Sequence, residues 1–197
     1  MSSNKLAIRV FTFLLFTGAL LVAAESHGAG QKHRASLSVD HKASMDRDQQ
    51  SITKTLKSGA EETTTTKTET ETCTLEIDVK NSGKQSGTFR VEWYFIAEQI
   101  KKGAEDQRII SHPGAKEITL DAKQTGQEIV STEFVVTDKV IDTISADWDS
   151  SKQTVSGEIY EGYIVLVKVG DEIIAQESNS SRYLKDKWLK LCEQAAK

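Results

Sequence analysis

The chain has one proline, two cysteines and four histidines in 197 residues, and only 7% of its residues are aromatic. Two cysteines allow one disulfide at most. Four histidines leave few candidates for a metal centre or a general base. No Gly-rich phosphate loop, His-Glu metal helix motif or Gly-x-Ser-x-Gly elbow occurs, so the common signatures of phosphoryl transfer, zinc hydrolysis and serine hydrolysis are missing. No second segment after the N-terminal apolar run is apolar enough to cross a bilayer. Nor is there an excess of positive charge: 25 basic residues stand against 29 acidic ones. That balance disfavours non-specific binding to nucleic acid or anionic lipid.

What is present begins with a leader. Lys5 and Arg9 precede "VFTFLLFTGALLV", and Val22-Ala23-Ala24 follows. A basic start, a short apolar run and small residues at its end describe a signal peptide over residues 1–24. The mature chain is then expected to start at Glu25, with no membrane span, and to be secreted or periplasmic. The leader takes two basic residues with it, leaving 23 basic against 29 acidic, a net charge of −6.

Residues 25–62 hold few large apolar side chains and no aromatic one. Such a stretch buries too little to offset chain entropy and reads as a disordered tail. His27, His33 and His41 fall in it without a ligand spacing, and a flexible tail offers a metal no fixed geometry. No metal or other cofactor is expected.

A β-sandwich domain is expected over 63–197. "TTTTKTETETCTLEIDVK" alternates from about Thr65, and Cys73, Leu75, Ile77 and Val79 share one face, so a long strand enters the core at Cys73. "NSGKQSG" reverses the chain. The next strand, Phe89 to Phe95, carries Phe89, Val91, Trp93 and Phe95 inward. Arg90, Glu92 and Tyr94 lie on its other face, which is expected to meet water and to offer a ligand or partner surface. Shorter strands follow at Gln107 to Ser111, Lys116 to Leu120 and Glu128 to Val136, with "HPG" at His112 to Gly114 as a turn and His112 solvated. Val140, Ile144 and Trp148 recur at helical spacing, so 139–150 is expected to be a short helix. Asp147 and Asp149 lack the glycine and distal glutamate of an EF-hand loop and read as a solvated loop. Tyr163 to Val169 and Ile173 to Glu177 form a hairpin around Gly170-Asp171. The C-terminal helix opens near Ser180 or Ser181 and presents Leu184, Trp188, Leu191 and Ala195 as a stripe, with Cys192 beside it. The stripe either covers the sandwich, the preferred reading, or docks on a partner.

"LEIDVKNSGKQSGTFRVEWYF" and "EGYIVLV" resemble the strands of bacterial immunoglobulin-like modules of the CARDB type. The resemblance covers about Thr70 to Ser178. It implies an immunoglobulin-like antiparallel sandwich of about seven strands, closed by the C-terminal helix. It also implies a buried strand-C tryptophan at Trp93 and a tyrosine corner at Tyr163. Val165 stands where an antibody domain has its second cysteine, so the inter-sheet disulfide is lacking. Such modules mostly bind proteins or glycans or act as envelope scaffolds.

The expected function is therefore a non-catalytic binding or scaffold protein of the cell envelope, with an unknown protein or glycan as partner. Strand addition at the Thr-rich edge is one way it could join an assembly. The alternative is a hydrolase with an unrecognised carboxylate site. Cys73 and Cys192 can bridge if the C-terminal helix packs near the start of the first core strand; otherwise they are two separate buried thiols.

Overall fold

The structure is a computed structural model and describes residues 33–103 and 105–196. Its strands are β1 (Ala35–Thr55), β2 (Glu61–Asn81), β3 (Gly87–Ile100), β4 (Gln107–Leu120), β5 (Thr125–Ile144), β6 (Asp149–Val169) and β7 (Glu172–Ser178). A 3-10 turn (Ser181–Leu184) and one helix, α1 (Asp186–Ala195), complete it. Every described pairing is antiparallel, in the order β1-β2-β5-β6-β3-β4, with β7 also on β6. The fold is an all-β, sandwich-like arrangement of seven strands with a C-terminal helix.

The layers follow from how β6 changes partners. From Asp149 to Gly157 it pairs with β5; from Gly157 to Lys168 it pairs with β3. Gly157 sits at this switch with φ 139°, and a Cβ there would lie 2.0 Å from the Val135 carbonyl oxygen, so only glycine fits. β3, β4, β7 and the second half of β6 thereby lie over one half of β1, β2 and β5. Between the layers, Cys73, Leu75, Ile77 and Val79 of β2 and Phe134 of β5 meet Phe89, Val91, Phe95, Val165 and Val167. Trp93 is half-buried against this cluster, opposite Gly114, where a Cβ would lie 2.4 Å from the indole.

The other halves of β1, β2 and β5, with Asp149 to Gly157 of β6, continue outward as a four-stranded arm. Here β1 is exposed along its whole second half. Two turns end the arm. In one, the Leu56 amide donates to the Ala60 carbonyl at 2.8 Å; in the other, the Ser145 amide donates to the Trp148 carbonyl at 3.0 Å.

Several expectations are corrected. The tail expected over 25–62 contains β1, which pairs with β2 from Ala35↔Asn81 to Thr55↔Glu61 without a break. A strand added to a sheet satisfies its backbone through its neighbour and needs apolar residues on one face only; Ala35, Leu37 and Val39 supply that face. Residues 25–32 of that tail and the leader over 1–24 lie outside the described residues. The Thr-rich strand is no edge, because β2 is flanked by β1 and β5 along nearly its whole length. Its core does start at Cys73, as the pattern indicates.

The helix expected over 139–150 is strand, turn and strand instead. Val140 and Ile141 are β-branched and have β2 on one side and β6 on the other, so pairing overrides the helical spacing. The two short strands around "HPG" are one strand with a bulge, in which His112 and Pro113 oppose Tyr94 alone. His112 takes φ 45°, and its ring meets Phe134 edge-on at 5.3 Å, so it is more than a solvated turn residue.

Candidate functional site

The outer face of β3 and β6 carries a second apolar cluster: Tyr94, Ile96, Ile164, Leu166, Tyr183 and Cys192, with Leu184, Trp188, Leu189 and Ala195 packed against it. The C-terminal helix thus covers the sandwich. Its buried centre is Cys192, shifted by one position from the expected stripe through Leu191.

This packing corrects the expected wet face of Arg90, Glu92 and Tyr94. Tyr94 is buried and Glu92 is only 3% exposed, while the Arg90 side chain keeps 47% of its exposure. A small cleft of about 180 Å³ lies there, between Arg90, Glu92 and Tyr94, the β4 bulge at Pro113–Ala115, and Ala195 and Ala196.

Glu92 is the one buried carboxylate among the described residues. Arg90 Nε reaches its Oε1 at 2.9 Å, and Lys168 Nζ reaches Oε2 at 2.7 Å. Tyr94 donates its hydroxyl hydrogen to the same Oε2 at 2.7 Å. Burial alone would raise the Glu92 pKa. The hydrogen bonds from Lys168 and Tyr94, with the charges of Lys168 and Arg90, outweigh it and hold the carboxyl below its ordinary value. The Tyr94 phenol moves up, through burial and then through its bond to Glu92. Lys168 completes the cluster from outside the expected Arg90, Glu92 and Tyr94 group. Its signal in the sequence is a lone charge in the apolar run of β6, opposite Arg90 in register.

Chemically, this group is a closed ionic cluster. Both carboxylate oxygens already take contacts, from Arg90 on one and from Lys168 and Tyr94 on the other, and the two cations hold Glu92 ionised and weakly basic. Arg90 alone reaches solvent appreciably, and it can meet an anionic group at the cleft mouth.

Two other polar clusters hold elements together. Glu161 accepts from Arg108 Nε at 2.8 Å, Arg182 Nη2 at 3.0 Å and the Tyr183 hydroxyl at 3.0 Å. The Arg108 hydrogen bond, against a smaller effect of burial, holds the Glu161 pKa below its usual value. Glu158 accepts from Ser111 Oγ at 2.7 Å, and His112 Nε2 lies 4.0 Å from the same carboxylate. The Ser111 hydrogen bond ties β4 to β6, and among the described residues no imidazole hydrogen-bonds this serine.

Cys73 and Cys192 are free thiols. Cys73 belongs to the cluster between the layers and Cys192 to the cluster under the helix, so β3 and β6 separate them. Of the two readings the sequence allows, a bridge or two separate buried thiols, the structure has the second. Burial pushes both thiols up to about 12, which keeps them protonated and unreactive. His41 stacks on Tyr160 at 5.1 Å instead of joining a ligand set, and His33 meets Phe89 edge-on at 6.4 Å. No three metal-ligating side chains come together among the described residues, and His27 lies outside them. No helix among the described residues is long and apolar enough to cross a membrane.

No family model matches the chain, and no curated protein matches it. Among solved structures it is similar to the β-glucosidase from Kluyveromyces marxianus, with TM-score 0.32 and 13% identity over 75% of this chain and 14% of that one. It is similar also to the β-D-glucoside glucohydrolase from Trichoderma reesei, with TM-score 0.31 and 16% identity over 76% of this chain and 19% of that one. For β-glucosidase 3B from Thermotoga neapolitana the TM-score is 0.30, with 12% identity over 75% of this chain and 15% of that one. The chain spans less than a fifth of the length of these three enzymes. Likeness at this level transfers neither an activity nor a ligand.

Proposed function

We propose that this chain is a secreted or periplasmic, non-catalytic binding or scaffold protein of the cell envelope, built on an immunoglobulin-like module. The observation that carries the reading is the arm. It is one layer thick and exposes Ile52 at 68% and Trp148 at 57%, beside Ile144 at the same end. A sheet that extends past its core and presents a tryptophan at its tip has a use in contact with another molecule. The leader with Lys5, Arg9 and Val22-Ala23-Ala24 supports export.

The test joins fractionation to capture. The exported fraction should hold a chain starting at Glu25. Wild type should retain an envelope protein or glycan that Trp148→Ser loses, with folding unchanged. A chain that keeps Met1 and stays inside the cell, or equal capture by both forms, would overturn the proposal.

A further inference from the structure

Several strand edges are unpaired among the described residues, and they differ in how they are blocked. The β5 edge from Thr125 to Val135 lies beside β4, with Lys116 paired to Glu128 between them. β4 carries Pro113 and a bulge. β7 has seven residues and a register shift where it meets β6. The β6 edge of the arm is short and ends at Gly157. β1 has none of these devices. It runs for 21 residues without proline, and its register with β2 never shifts. A long flat edge is a template for another strand unless its charges forbid it. The charges of β1 therefore decide what it accepts.

They are self-complementary in one register. With a two-fold axis through Met45, two copies of β1 pair antiparallel along their whole length, Ala35 facing the partner's Thr55. Lys42 then faces the partner's Asp48, and Asp48 the partner's Lys42. No like charges stand directly opposite. A slip of two residues one way sets Asp40 against the partner's Asp48; the other way sets Asp46 against the partner's Asp46. Like charges directly opposite disfavour both slips. Asp48 is available for this role: its contact within the chain is a hydrogen bond from Gln50, at 3.1 Å, and among the described residues no cation pairs with it. Lys42 rests on Glu76 of β2 and keeps 61% of its side-chain exposure. Met45, on the axis, is exposed and would meet its own copy.

We infer that the free edge of β1 is a self-association surface, where a second copy of this chain adds antiparallel with Met45 on the dyad and two reciprocal Lys42–Asp48 pairs fixing the register. An isologous contact of this kind closes at two copies, because it consumes the same edge on both. It joins the two sheets of the pair into one and gives each arm a neighbour.

Light scattering on the purified chain tests this with charge reversal. Wild type should be a dimer. Lys42→Asp or Asp48→Lys alone should weaken dimerisation at least about tenfold, by setting like charges opposite each other. The double variant should return to within about threefold of wild type, since the pairs re-form with signs exchanged. That recovery separates the proposal from loss of the Lys42–Glu76 contact, which the double variant also lacks. A cysteine series tests the register. Met45→Cys should form an intermolecular disulfide on mild oxidation, while Gln49→Cys should not. In this register Gln49 lies about 27 Å from its own copy, at roughly 3.4 Å per residue. A monomeric wild type, a double variant as weak as the singles, or equal cross-linking at both positions would overturn the inference.

Discussion

β2 is one strand with two halves. From Cys73 to Val79 the inward side chains Cys73, Leu75, Ile77 and Val79 are all buried; from Glu61 to Thr70 none is. Both halves alternate, and both have β1 on one side and β5 on the other. The backbone ladder is therefore the same along the strand. What differs is the second layer: β3 and β6 cover the Cys73–Val79 half and leave the other bare. Thr is the residue that lets one strand serve both settings. Its branched Cβ keeps the extended backbone, while its hydroxyl tolerates water. In the arm those hydroxyls pair across strands, Ser51 with Thr65 at 3.0 Å and Thr53 with Thr63 at 2.9 Å. Ion pairs add to them, Arg47–Glu69 at 2.9 Å and Lys54–Glu62 at 2.7 Å. Such contacts are each small. The halves should then respond very differently to the loss of a side chain.

The largest effect belongs to the covered half. Leu75 is fully buried between the layers. Leu75→Ala should cost about 2–5 kcal/mol, the sum of lost burial and the cavity left behind. Urea titration followed by tryptophan fluorescence checks it. A loss under about 1 kcal/mol would mean that the layers do not close over β2, and the contrast between halves would fail.

The outer face of the body comes second, because its polar cluster is also covered. Glu92→Gln keeps the shape but removes the charge that Lys168 and Arg90 share, and should cost about 2–3 kcal/mol at neutral pH. The sign of its pH dependence is fixed by the lowered Glu92 pKa, in which the hydrogen bonds and cations overcome burial. Stability from this carboxylate is present in full above its unfolded pKa, about 4.3 for glutamate. It is lost as pH falls through the lower folded value. Wild type should therefore lose its advantage over Glu92→Gln as denaturation curves are taken from pH 7 into the acid range below about 4. A gap that stays constant down to acid pH would show that Glu92 is not held ionised by its neighbours.

The two halves were not equally legible in the sequence. The covered half announces itself, because Leu75, Ile77 and Val79 are apolar at period two, as are Phe89, Val91 and Phe95 on the strand they meet. The arm is hidden, since its strands have no core to face and their side chains are those of loops. β1 reads as a tail for this reason, although Ala35, Leu37 and Val39 alternate at its start. The Val140, Ile144 and Trp148 spacing fits a helix, and only the presence of β2 and β6 on either side decides for strand. For Glu92 and Tyr94, period two places them on the outer face correctly; that the face is covered depends on where α1 returns. The separation of Cys73 from Cys192 depends on the same return, because nothing in their spacing tells which face of β3 and β6 the helix takes.

The smallest effect is expected in the uncovered half. Thr65 lies on the same strand and the same side-chain parity as Leu75, and its hydroxyl bonds Ser51 in solvent. Removing it in Thr65→Ala forfeits one exposed hydrogen bond and some β-propensity, and leaves no cavity. The global stability should change by no more than about 0.5 kcal/mol. Local stability is a sharper reading. The arm has ladder bonds with little burial, Ala60 and Thr143 being its buried residues, so its amides should exchange through openings well short of global unfolding, while those of Leu75 to Val79 exchange only with it. Thr65→Ala should speed exchange in β1 and β2 on either side of the substitution and leave the covered half untouched. Hydrogen exchange with residue resolution measures both halves in one experiment. If the substitution instead lowered protection equally at Thr65 and at Ile77, arm and body would unfold as one unit, and the difference between the halves of β2 would be one of exposure alone, without a difference in stability.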